Sequence, residues 1–141
     1  DVYKRQQLDR YPTLLERRKE IIKKYDEACD ELGVIHLHHY GDDFASSGHL
    51  YLTRIPGASD EQRRKIITKL AERGVNTNVH YKPLPMMTAY KNMGWDIKEF
   101  PNAYAYYENL ITLPLHTKLS DEDVKYVTEN FKAVVSAYTS K

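Results

Sequence analysis

The chain has 141 residues, enough to bury one core without disulfides or metals. Hydrophobic residues make up 41% and charged residues 29%, which excludes a disordered chain, and no stretch approaches the roughly 18–20 apolar residues of a membrane helix. Lys plus Arg number 21 and Asp plus Glu 20, a balance that argues against nucleic-acid binding, where a clear basic excess is the rule.

A single cysteine, Cys29, excludes an internal disulfide framework, and a reducing cytoplasm is the expected location. The chain does not begin with Met, so a piece of a longer protein is expected. Residues 1–6 (DVYKRQ) read as a scar or disordered start, and residues 7–141 as one domain. Twelve tyrosines against three phenylalanines predict many half-buried positions, where a ring packs and its hydroxyl stays wet.

The first element is a helix over about residues 12–32, with Leu14, Leu15, Ile21, Ile22, Tyr25, Ala28, Cys29 and Leu32 on one face. Pro12 suits its first turn and Gly33 its stop. Residues 34–40 and 49–55 read as two strands of an antiparallel pair, joined by the turn-rich loop 41–48. Ser59, followed three residues later by Gln62, starts a second helix with Ile66, Ile67 and Leu70 inward. Residues 75–81 read as a third strand, and Pro83 and Pro85 hold the following segment extended. A short helix over 86–93, another from Pro101 and a short extended stretch at 111–115 come next. Ser120 caps the last helix, whose inner face is Val124, Val127, Phe131, Val134, Val135 and Tyr138. This order predicts an α+β fold: a two-layer sandwich with a small, mainly antiparallel sheet, helices on one face and a long N-terminal helix.

Few residues carry recognisable chemistry. His36 and His38 share a strand face and could ligate a metal, but no Cys or carboxylate partner is visible in the sequence, and surface or interface imidazoles are the expectation. Cys29 lies on an apolar helix face and reads as a buried small hydrophobe. Ser46 and Ser47 lack a nucleophile elbow, and the glycines form no phosphate cradle. Residues 78–87 (NVHYKPLPMM) differ: an imidazole, a phenol and an ammonium stand at a strand end stiffened by two prolines, where polar groups can be held at low entropic cost.

From this segment outward the sequence resembles the C-terminal small domain of the DegT/DnrJ/StrS-type sugar aminotransferases, pyridoxal-phosphate enzymes of the aspartate-aminotransferase fold. The matching pieces follow the family's order. Gln7-Leu8 with Glu16-Arg17-Arg18 and Tyr25 looks like its first helix, and His49-Leu50-Tyr51 like its HLY strand. Residues 74–83 (GVNTNVHYKP) look like its G-[IV]-x-x-x-x-H-Y-x-P stretch. Phe100-Pro101-Asn102-Ala103, Leu113-Pro114-Leu115 and residues 119–124 (LSDEDV) look like its ending.

The resemblance implies a parent enzyme that moves an amino group from glutamate to a keto-sugar nucleotide, giving an amino sugar for a surface polysaccharide or secondary metabolite. His80, Tyr81, Lys82 and Pro83 match the family's loop near the sugar-nucleotide site. By that match His80 and Tyr81 position substrate, Lys82 neighbours phosphate, and His49 orders the sheet. In the family the cofactor forms a Schiff base with a lysine in a Ser-His-x-Lys motif of the large N-terminal domain, and no such motif occurs here. The chain alone is therefore expected to bind no pyridoxal phosphate, to have no catalytic residue of its own and not to transaminate. The resemblance further implies a missing large domain, a homodimeric parent, and an exposed apolar or tyrosine-rich patch on this chain. A stand-alone sugar-nucleotide-binding or regulatory module derived from that domain is the alternative.

Overall fold

In the computed structural model, residues 2–139 are described. Helix α1 spans Val2–Leu32, α2 Asp60–Glu72, α3 Thr88–Asn92, α4 Pro101–Tyr107 and α5 Asp121–Val135. Strands β1 (Ile35–His36), β2 (Tyr51–Arg54) and β3 (Leu110–Leu113) form one antiparallel sheet in the order β1-β2-β3. The register pairs Tyr51 with Leu113 and Thr53 with Ile111, so these four side chains share one sheet face, and all are buried. Against that face pack Ile21, Ile22, Tyr25 and Cys29 of α1, Ile66 and Leu70 of α2, and Val124, Val127, Phe131, Val134 and Val135 of α5. The α+β expectation is met, with helices α1, α2 and α5 supplying the inner layer.

Three elements differ from their sequence reading. Helix α1 starts at Val2, not near Pro12, so residues 2–6, given no weight in the fold, are helical. Pro12 removes one intrahelical hydrogen bond, yet the packed half from Leu14 onward nucleates the helix, and Lys4, Arg5, Gln6, Gln7 and Leu8 are good propagators. Strand β1 keeps only two residues of the expected 34–40. There Ile35 and Leu37 face outward, 51% and 42% exposed, while the His36 side chain turns inward. The expected third strand, 75–81, contributes one antiparallel bridge, Asn78 to Thr112, on the free edge of β3. Its sequence is polar and Pro83 cannot donate to a ladder, so pairing does not extend.

The caps are as read. Ser59 and Gln62 form a reciprocal capping box on α2, and Ser120 and Asp123 form one on α5. Buried tyrosines spend their hydroxyls internally: Tyr25 donates to the Pro114 carbonyl at 2.8 Å and Tyr51 to Asp26 Oδ1 at 2.6 Å.

Two of the three clustered histidines, His36 and His39, turn toward partners in the fold. His36 lies between two α1 carboxylates, Nδ1 3.0 Å from Asp26 Oδ1 and Nε2 3.1 Å from Asp30 Oδ1. His39 stacks on Tyr51 at 5.8 Å, with Nδ1 3.1 Å from Ser46 Oγ. Among the described residues no group of three or more His, Cys, Asp or Glu could hold a metal ion. Burial lowers the His39 pKa below its ordinary value, opposed by Asp26 and assisted by His36. Because the unfolded chain then takes up this proton first, folded stability should fall as pH drops below about 6.5. Urea titrations across pH 5–8 should show that slope, and His39→Asn should flatten it; an unchanged slope in the variant would assign the effect elsewhere.

Candidate functional site

Asn78, His80 and Thr112 meet at the outer edge of the sheet. The bridge at β3 is a closely hydrogen-bonded pair: Asn78 N–H donates to the Thr112 carbonyl at 3.1 Å, and Thr112 N–H to the Asn78 carbonyl at 2.7 Å. Two residues on, His80 projects to the same side as Asn78. Its Nδ1 lies 3.0 Å from Thr112 Oγ1, and its Nε2 is 3.5 Å from Asn78 Nδ2. Thr112 is 4% exposed, so a buried hydroxyl on a paired strand fixes the imidazole. The ring remains half-buried and lines a cleft of about 150 Å³ with His49, Asn76, Asn78 and Pro114.

Tyr81 stands edge-on to His80, ring centroids 4.8 Å apart and planes at 82°, and is 69% exposed. The peptide between them is cis. Lys82 is exposed beside it. Pro83, with φ −55° and ψ 138°, keeps the chain extended before a single 3₁₀ turn at Leu84–Met86. The arrangement offers an imidazole, a phenol and an ammonium on one short loop, the first held by Thr112 and the other two displayed to solvent. That suits binding and orienting a polar, anionic molecule.

All four loop residues singled out from the sequence, His80, Tyr81, Lys82 and Pro83, lie at this edge. Thr112 and Asn76 were not singled out, and His49, read as ordering the sheet, lines the cleft just before β2 instead of pairing in it. Only the register of a single bridge brings Thr112 to His80, 32 residues away. Cys29, by contrast, is no nucleophile: it is fully buried, and burial pushes its thiol up to about 12.

A lysine that carries pyridoxal phosphate is shielded from water in an enclosed site. Every described lysine is exposed except the half-buried Lys132, which pairs with Glu31.

Comparison with known proteins gives these dispositions a context. The sequence profile of the DegT/DnrJ/EryC1/StrS aminotransferase family matches residues 3–132. The spore coat polysaccharide biosynthesis protein SpsC of Bacillus subtilis is 32% identical over 136 residues, 92% of this chain and 34% of that protein. The dTDP-4-dehydro-2,3,6-trideoxy-D-glucose 4-aminotransferase of Saccharopolyspora spinosa is 29% identical over 136 residues, 96% of this chain and 34% of that enzyme. Among solved structures, the apo form of Spr1654 of Streptococcus pneumoniae, described as a sugar aminotransferase, superimposes with a TM-score of 0.89 at 55% identity. The match covers 94% of this chain and 33% of that one. Spr1654 has also been solved in its PLP form. The chain thus spans about a third of the length of the relatives it matches.

Proposed function

This chain belongs to the DegT/DnrJ/EryC1/StrS aminotransferase family, and from that premise we propose that it is the C-terminal domain of a pyridoxal-phosphate-dependent transaminase acting on a keto-sugar nucleotide. The amino donor is glutamate, and the product is an amino sugar for polysaccharide or secondary-metabolite synthesis. The relatives' names support that reading: one belongs to spore coat polysaccharide synthesis, another acts on a dTDP-linked keto sugar. The parent is a cytoplasmic homodimer. No helix among the described residues is long and apolar enough to cross a membrane.

The observation that carries the proposal is the fixed imidazole of His80 on the edge of β3, with Tyr81 and Lys82 displayed beside it. His80 and Tyr81 orient the nucleotide sugar, Lys82 faces its phosphates, and Pro83 keeps the loop stiff. The large domain of the parent carries the cofactor, which supplies the electron sink for amino transfer. This chain forms one wall of the cleft and excludes water from it.

Two experiments test this. Pyridoxal phosphate added to the chain should give no stoichiometric absorbance band of a lysine-bound cofactor; a band that survives dilution would overturn the division of labour. Thr112→Val keeps the shape of the β3 side chain but removes the hydroxyl beside His80. It should weaken binding of a dTDP-linked hexose by roughly 5- to 10-fold, the worth of one hydrogen bond, when followed by calorimetry. Unchanged affinity would mean that His80 does not touch the nucleotide sugar.

A further inference from the structure

We propose that residues 82–106 form an arm that opens and recloses on the rest of the domain as one unit, held shut by Arg54 and Arg63 at its far root. This goes beyond the proposed function and does not rest on it.

The sheet, α1, α2 and α5 bury one shared core, and the arm takes no part in it. No residue from 81 to 106 is buried. Helix α3 packs chiefly on the turn at Leu84–Met86, and α4 on the turn at Ile97–Glu99. The turn hydrogen bonds close on the arm itself: Met86 N–H donates to the Pro83 carbonyl, Trp95 N–H to Tyr90 and Phe100 N–H to Ile97. Pro83, Leu84, Pro85, Tyr90, Trp95 and Phe100 gather round a groove of about 400 Å³ that leaves Trp95 48% exposed. The arm therefore has a small apolar cluster of its own, half wet, and little burial to hold it down. Its helices have five and seven residues, too short to stand alone, and neither has a side-chain N-cap.

The ties to the body lie at the two roots. At the first, Asn78 bridges to Thr112, and His80 Nδ1 lies 3.0 Å from Thr112 Oγ1. At the second, two guanidinium groups take the last carbonyls of α4. Arg54 Nη2 donates to the Ala105 carbonyl at 3.2 Å, and its Nε to Asn109 Oδ1 at 3.1 Å. Arg63 Nη1 donates to the Tyr107 carbonyl at 2.6 Å, while Nη2 pairs with Asp60. Each also lies over a ring of α4, Arg54 on Tyr106 at 4.6 Å and Arg63 on Tyr107 at 4.2 Å. Cations suit a helix C-terminus, and forked donors fix its direction as well as its position. Arg54 stands on β2, and Arg63, 3% exposed, on α2, so the clasp belongs to the body. Opening carries Lys82 and Pro83 away with the arm and leaves His80 on Thr112, so the clasp governs whether the 80–83 loop is whole.

Amide hydrogen exchange of the chain, followed by mass spectrometry of its peptides near neutral pH, tests this without a ligand. Peptides within 82–106 should share one level of protection, about 100-fold or more below that of α1 and α5. Arg54→Met removes the fork and keeps an apolar stem over Tyr106. It should speed exchange about 10-fold across 82–106, because the clasp is broken whenever the arm is open. Ile66→Val should speed the core peptides about 3- to 10-fold and leave the arm unchanged, since Ile66 stays packed while the arm is open. An arm whose protection follows the core in Ile66→Val would open only with the whole domain, against the proposal. Protection that varies widely from peptide to peptide would mean fraying rather than a unit. An arm unmoved by Arg54→Met, or sped only beside Ala105, would be held elsewhere than at the clasp.

Discussion

Replacing His80 by alanine in the intact parent enzyme should lower kcat/KM for the keto-sugar nucleotide by about 10- to 100-fold, as expected for losing a hydrogen bond to a charged group. The half-reaction with glutamate should be untouched, because glutamate carries no nucleotide to engage the 80–83 loop. The split follows from geometry: His80 is held at Thr112 Oγ1, 3.0 Å away, on the outer sheet face, with its ring in the cleft and no part in the core. Single-turnover spectra of the cofactor, recorded separately with glutamate and with the sugar substrate, report each half. Equal losses in both would place His80 in the shared chemistry; no loss in either would remove it from the site.

The largest stability effect should come from Phe131→Ala. Phe131 is fully buried where α5 meets α1 and α2, in the cluster that also holds Ile21, Ile66 and Leu70. Truncation there removes a whole ring from a close-packed interior and should cost about 3–5 kcal/mol. A domain of this size has roughly 5–15 kcal/mol in hand, so the variant should sit near its unfolding threshold. Urea denaturation followed by circular dichroism should show the midpoint falling with little change in slope. A shift worth less than about 1 kcal/mol would mean that the three helices do not share one core.

The inner faces of the helices were legible from their spacing, because α2 and α5 each show a buried face and a capping box that Ser59 and Ser120 announce in the sequence. The start of α1 was not, since a proline reads as a first-turn residue when nothing reveals that helix continues on both sides of it. Nor was the shortness of β1: alternation showed which residues share a face, not that His36 would turn inward to Asp26 and Asp30 on α1. The site was half legible. Two prolines after a run of polar residues marked the 80–83 loop, and the family likeness gave it a role. The residue that fixes it, Thr112, was hidden in an apolar stretch. Its pairing with Asn78 depends on a single bridge between segments with no shared periodicity. The groove at Trp95 was equally hidden, since Pro83, Tyr90 and Phe100 meet only through the turns at Leu84–Met86 and Ile97–Glu99.

The imidazole spectrum of the chain's six histidines, followed by NMR while a dTDP-linked hexose is added, tests most directly whether this domain forms the nucleotide-sugar wall of the enzyme. The ring signals of His80 should move and saturate, while those of His36 and His39, enclosed by α1, Ser46 and Tyr51, should stay in place. A His80 ring that does not respond at a millimolar concentration of the dTDP-linked hexose would contradict the assignment.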